Sequence, residues 1–529
     1  CFQLSGAYRR CLVTLEHRGL LSAEIIDPIC ELLKPQSSTI NQTNVSLSTS
    51  QSGILSAVHL AACCLFHLRE PEDTLTLLEP FITVEDHKMD SIIDRIKMLI
   101  PNQLDNVNIM AGMYFIAGKC FDILDNRHRC LTAFTTALRI DPACIEIAEY
   151  ISNRGLLSQR DRKHLLKNII KIDHDPNRSW LKNYYSFLLD DASPDFSLNM
   201  INLATESNQE KVELETEYNI QPISALALVQ QAEYMYSTHH YEEAYRLARQ
   251  AYSIDPYDWR GNLIYVATMV DLGLKNELFY LGHELVHTHP KLAISWYTVA
   301  CYYWTCKKYE LAKKYLQKAT KIDKRFSNAW VLLGHVLASQ EESEHAISAY
   351  RTACRVLPGN HEPQVFMAKE LIRTNNYSLA LHVLTEAFEL CPNDPVILNE
   401  LGVVYLQLNR IDDALGPFRK AAEGLLRSAG RGSKRKNTTG SLEILSNYAT
   451  CLRKCGRLEN ALEWYYQCLA YCPTDAMTHA NIGFTLHLSR RFDEAVEQYH
   501  RALSLQPSLS ICGDMLSQLL EDMRLYKSE

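Results

Sequence analysis

No stretch of this 529-residue sequence is apolar for long enough to cross a bilayer. The longest, such as residues 294–304, reach about half of the ~20 residues a helical span needs and contain Ser, Thr and Tyr, so the chain is read as soluble. An excess of positive charge is lacking too. The net charge of −8 and isoelectric point near 6.2 give no global attraction for nucleic acid or an anionic membrane, and neither is expected as a partner. No glycine-rich phosphate loop, Gly-x-Ser-x-Gly elbow or dinucleotide fingerprint occurs, which removes the common nucleotide-binding and acyl-transfer classes. Cys-x-x-Cys pairs are absent as well. The seventeen cysteines are scattered, with Cys451/Cys455 and Cys468/Cys472 at helical i, i+4 spacing, and read as reduced core thiols rather than disulfides or metal ligands. After Cys1 there is no charged segment followed by an apolar one, so no secretory leader is visible. Reduced thiols point to nucleus and cytoplasm, where the sequons at Asn41, Asn44 and Asn437 would stay unmodified.

What is present is apolar material: 47% hydrophobic residues, enough for a large core, in a chain longer than the roughly 250–300 residues that one core supports. The choice is between several domains and an elongated repeat array. Self-comparison decides for the array. Small residues recur at a 34-residue step at Ala300, Gly334, Ala368 and Gly402, and each is followed twelve later by Ala312, Ala346, Ala380 and Ala414. Seven further on stand Ala319, Ala353, Ala387 and Ala421, with proline five later at Pro358 and Pro392. After 13 extra residues the pattern resumes as Ala449, Ala461, Pro473 and then Gly483, Ala495, Ala502, Pro507. Upstream, Ala232, Ala244, Ala251 and Pro256 form one unit, Ala267 opens a degenerate one, Gly118, Phe134, Ala137 and Pro142 form another, and Ala62 with Thr74 is weaker.

The 34-residue period is that of the tetratricopeptide repeat. Each unit is two antiparallel helices whose backbones approach only where Gly or Ala sits at the crossing, and proline stops the second helix. The expected fold is all-α, a right-handed superhelix of stacked hairpins with a concave inner wall. Divergent hairpins are expected over 1–220, with a polar loop at 36–53, a regular array of eight hairpins over 225–509 with a basic insertion at 427–440, and a helical tail at 510–529.

One enzyme-like motif stands out. His283-Glu284-Leu285-Val286-His287 matches the zincin spacing, two histidines on one helical face. It falls within a repeat helix whose Leu278, Phe279, Leu281 and Leu285 are read as packing residues, and no downstream zinc-ligand motif follows, so neither zinc nor another cofactor is expected. A co-chaperone adaptor would need Lys or Arg at inner positions to clamp a terminal carboxylate; this chain offers Asn399, Ser446 and Ala480 there.

Other residues are not generic to the repeat: Leu124-Asp125-Asn126-Arg127, the run Asn276 to Leu281 with His283, and Ser295-Trp296. Together with Trp330, Gly334-His335, Leu401-Gly402-Val403-Val404 and Leu452-Arg453-Lys454, the sequence resembles the tetratricopeptide scaffold subunits of the anaphase-promoting complex, the cell-division-cycle-sixteen type. The resemblance covers residue 1 to about residue 509. It implies a non-catalytic subunit of a multi-subunit ubiquitin ligase, partnered by other subunits, homodimeric through its N-terminal repeats, and holding a small partner in its C-terminal groove. Cys1 to Arg10 reads as the remainder of a first helix, so opening repeats are expected before it. In the repeat frame the groove positions are His335, Lys369, Arg373, Asn399, Val403, Leu406, Asn447, Thr450, Arg453, Asn481, Phe484 and His487. Asparagine amides both donate to and accept from a peptide backbone, the aliphatics and Phe484 supply apolar area, and the cations face acidic ligand residues.

Overall fold

The computed structural model describes residues 49–82, 109–157, 161–166, 185, 225–237, 240–429 and 439–528. Among these every regular element is a helix. The chain divides into two compact units, Cys1–Ser197 and Leu198–Glu529. The polar loop at 36–53 and the basic insertion fall mostly outside the described residues.

The first unit contains α1 (Thr49–His67), α2 (Pro71–Leu78), α3 (Ile109–Ile123), α4 (Arg127–Ile140) and α5 (Ile145–Arg154). Its core is built on Met110, Tyr114, Phe134 and Ile147, all fully buried. The described residues of the second unit form a run of eight hairpins. They are α6 (Ala225–Ser237) with α7 (Tyr241–Ile254), α8 (Trp259–Leu272) with α9 (Lys275–Thr288), α10 (Ala293–Thr305) with α11 (Tyr309–Ile322), and α12 (Ser327–Ser339) with α13 (Ser343–Val356). Then come α14 (Glu362–Arg373) with α15 (Tyr377–Leu390), α16 (Pro395–Gln407) with α17 (Ile411–Ala429), α18 (Thr439–Lys454) with α19 (Leu458–Tyr471), and α20 (Ala476–Leu488) with α21 (Phe492–Leu505). A last helix, α22 (Ser510–Ser528), packs on α21 and α20 and covers the apolar face that the final hairpin would otherwise expose.

The alanines of the repeat frame do what their spacing predicts: Ala312, Ala346, Ala380, Ala414, Ala461 and Ala495 are all 0% exposed. Opposite them the backbones meet with matched volumes. A Cβ on Gly402 would lie 2.6 Å from the Phe418 ring, and one on Gly334 would lie 2.4 Å from that of Tyr350. Gly118 against Phe134 and Gly483 against Tyr499 repeat the arrangement, sixteen residues apart in each hairpin. Where the first position is alanine the second is smaller, as with Ala62 and Leu78, Ala300 and Leu316, or Ala368 and Leu384. Ala449 opposite Tyr465 is the exception, and there the phenol finds a hydrogen bond with Thr450.

The turns obey the same period. Lys307, Glu341, Asn375, Asn409, Gly456 and Arg490 adopt left-handed backbone angles between the two helices of their hairpins. At Lys307 its own N–H bonds the Trp304 carbonyl and the next N–H bonds that of Tyr303, a Schellman closure that satisfies the last carbonyls of the first helix. Most second helices end two residues before a proline, as at Pro142, Pro256, Pro358, Pro392, Pro473 and Pro507, whereas α11 has Lys324 at that place. Pro417 departs from that rule by sitting inside α17.

First helices of neighbouring hairpins touch directly, as in α6–α8, α14–α16 and α16–α18, whereas among the described residues no two second helices are packed as closely. The first helices therefore form the inner wall of the array. The frame positions predicted for the groove all lie on them.

The inner wall of the C-terminal hairpins as a candidate partner groove

The wall begins with an aromatic group. His335 on α12 packs edge-on against Phe366 of α14, with ring centroids 4.5 Å apart, and its Nδ1 shares a 2.9 Å hydrogen bond with the Tyr350 hydroxyl. Burial, and then the charge of Lys369, push its pKa down to about 4. His335 is therefore neutral at physiological pH. Because its folded pKa is depressed, the stability it contributes is complete above the ordinary value of 6.5 and is lost as pH falls through about 4. In His335→Gln that acid-range loss is expected to shrink by up to about 3 kcal/mol, measured as the difference in urea unfolding free energy between neutral pH and pH near 4.

Next comes a polar ladder across three inner helices. Asn447 of α18 donates to Asn399 Oδ1 at 3.1 Å, and Asn399 of α16 donates to the neighbouring Glu400 at 3.3 Å. Glu400 faces Lys369 of α14 at 3.5 Å. Burial raises the Glu400 pKa, and the Lys369 charge opposes that shift. This corrects the expectation for Asn399: at 2% exposed it is an interior strut between repeats, not a contact residue. The cations are also already engaged. Lys369 holds Glu400, and Arg373 holds Glu370 Oε2 and Ser343 Oγ, both at 2.7 Å.

The last hairpins present a different surface. Val403 and Leu406 on α16 are half-buried at the edge of the core. Thr450 bonds the Ser446 carbonyl and the Tyr465 hydroxyl, both at 2.8 Å. The Arg453 guanidinium lies over the Phe484 ring, 4.5 Å from its centroid, and its Nε is enclosed with no protein partner. Asn481 is half-buried one turn before Phe484. His487 corrects a second expectation: its Nε2 is 2.9 Å from Asp522 of α22, so the terminal helix occupies that end of the wall. The sequence frame missed Asp522 because it lies outside the repeat, and missed Glu400 because the repeat period carries no sign of its pairing with Lys369.

His283 and His287 stand exposed on α9, and His283 packs on Phe279 with centroids 4.2 Å apart. Among the described residues no three His, Cys, Asp or Glu side chains cluster as a metal site would require.

Stacked hairpins with Gly or Ala crossings and an inner wall of first helices define a tetratricopeptide solenoid. Tetratricopeptide repeat models match residues 293–326, 327–359, 367–429 and 440–508. The same fold is seen in the crystal structure of the anaphase-promoting complex hetero-tetramer Cut9–Hcn1, with a TM-score of 0.62 and 23% identity over 88% of this chain and 83% of that one. The chain is 31% identical over 477 residues to anaphase-promoting complex subunit 6 of Arabidopsis thaliana, covering 88% of this chain and 84% of the relative. It is 27% identical to the human cell division cycle protein 16 homolog, over 88% of this chain and 74% of that protein. The chain belongs to the anaphase-promoting complex subunit 6 family.

Proposed function

We propose that this chain is a non-catalytic scaffold subunit of an anaphase-promoting complex, a ubiquitin ligase acting in the cell cycle, working in nucleus and cytoplasm. The inner wall of α14–α20 holds a short segment of a small partner subunit, while the N-terminal repeats join two copies of the chain. The observation that carries this reading is the 31% identity along most of the length of a subunit of that complex. The wall supports it physically: the half-buried Phe484 offers apolar area, with the Arg453 guanidinium stacked on its ring.

Native purification from cells through two differently tagged copies, followed by mass spectrometry, tests this. Expected are both tags in one particle, ubiquitin-ligase subunits, and one small chain in stoichiometric amount. Recovery of the chain free of ligase subunits would overturn the assignment, and recovery of the ligase with only one tag would remove the homodimer.

A further inference from the structure

Between Lys307 and Arg325 stand eight basic and two acidic residues, in a chain whose net charge is −8. They lie in and around α11, a second helix and so on the outer layer of the array, away from the inner wall. The spacing is ordered. Within the helix, Leu311, Lys314, Lys318 and Lys321 recur at three and four residues, which aligns them as one stripe roughly 15 Å long at 1.5 Å per residue, with Lys307 in the turn that precedes it. Leu311, Lys314, Lys318 and Lys321 are exposed. Equivalent helices do not share this character: α15 and α19 carry two glutamates each and no Lys or Arg.

The stripe is held rigid from beneath and left unneutralised above. Lys318 Nζ sits 3.1 Å from the centroid of Trp296, which stacks on Tyr315, itself stacked on Tyr303 with planes 7° apart. Lys313, off the stripe, is paired with Glu342 at 2.9 Å. Lys307, Lys314 and Lys321 have no carboxylate partner among the described residues. Like charges at i, i+3 and i, i+4 repel, so the isolated helix carries an electrostatic cost that an external row of carboxylates would remove.

We propose that this outer face of α11 docks a carboxylate-rich segment of a partner polypeptide. Charge complementarity sets the class of ligand, and the exposed Leu311 and Ile322 add apolar contact at its flank. A short segment matches the stripe. A long nucleic acid or a membrane plane would extend past it onto a chain that is otherwise net negative.

The test uses the full chain and a fluorescein-labelled oligoglutamate of about 16 residues, titrated by anisotropy at about 50 mM salt, where surface charges act over more than 10 Å. Wild type is expected to bind saturably, with carbodiimide cross-links mapping to Lys314, Lys318 or Lys321. The triple variant Lys314→Glu, Lys318→Glu, Lys321→Glu should lose at least tenfold in affinity, with its melting curve checked against wild type. A charge-matched control, Arg246→Glu, Arg249→Glu, Lys275→Glu, should change less than twofold. Should the reversal variant fail to fold, the three Lys→Gln replacements serve in its place. Absence of saturable binding, equal loss in the control, or tighter binding of oligouridylate or phosphatidylserine vesicles through the same lysines would overturn the proposal.

Discussion

Gly402→Ala is expected to lower the unfolding free energy by about 1–3 kcal/mol, although alanine is the better helix former and the site is mid-helix. The reason is local: the new Cβ would fall 2.6 Å from Phe418, a ring that is itself 0% exposed and has nowhere to go. Phe418→Leu removes the obstruction but leaves a void, so alone it is also expected to destabilise, by roughly 1–2 kcal/mol. Combined, the two recreate the Ala368 and Leu384 arrangement that the preceding hairpin already uses. The double variant should therefore be more stable than the sum of the single losses by at least about 1 kcal/mol, read from urea titrations in a double-mutant cycle. Additive losses would show that the size pairing at the crossing is not what holds the hairpin together.

The second large effect is on the groove. Arg453→Ala with Phe484→Ala is expected to weaken retention of the small partner by tenfold or more, since removing an aromatic anchor and the cation stacked on it costs about 2 kcal/mol or more at an interface centre. Neither residue is fully buried, so the array should melt within a few degrees of wild type. Retention unchanged in a particle that still assembles would move the binding surface elsewhere on the wall.

The hairpin register was legible because two backbones cannot approach closely past a large side chain: Ala312 and Ala346 could be assigned to crossings from spacing alone, and both are fully buried. The prolines and the left-handed turn residues follow the same logic, a helix that must stop at a fixed length. The wall was legible only as a set of positions. Which helical face Asn399 shares was clear from the frame; that Asn447 would reach across and seal it into a strut depends on the rotation between neighbouring hairpins, which no spacing encodes. His487 failed for a different reason. Its partner Asp522 belongs to a helix outside the period, so the repeat frame carried no information about it.

The central claim is that a small chain lies along the inner wall of α14–α20, and a site-specific photocross-linker tests it most directly. With the photoreactive residue at Val403 on the inner wall, half-buried at the groove edge, illumination of the native complex should yield an adduct with one small subunit, while the same residue at the exposed Glu386 on α15 should not. An adduct of that small chain from Glu386 and none from Val403 would contradict the account.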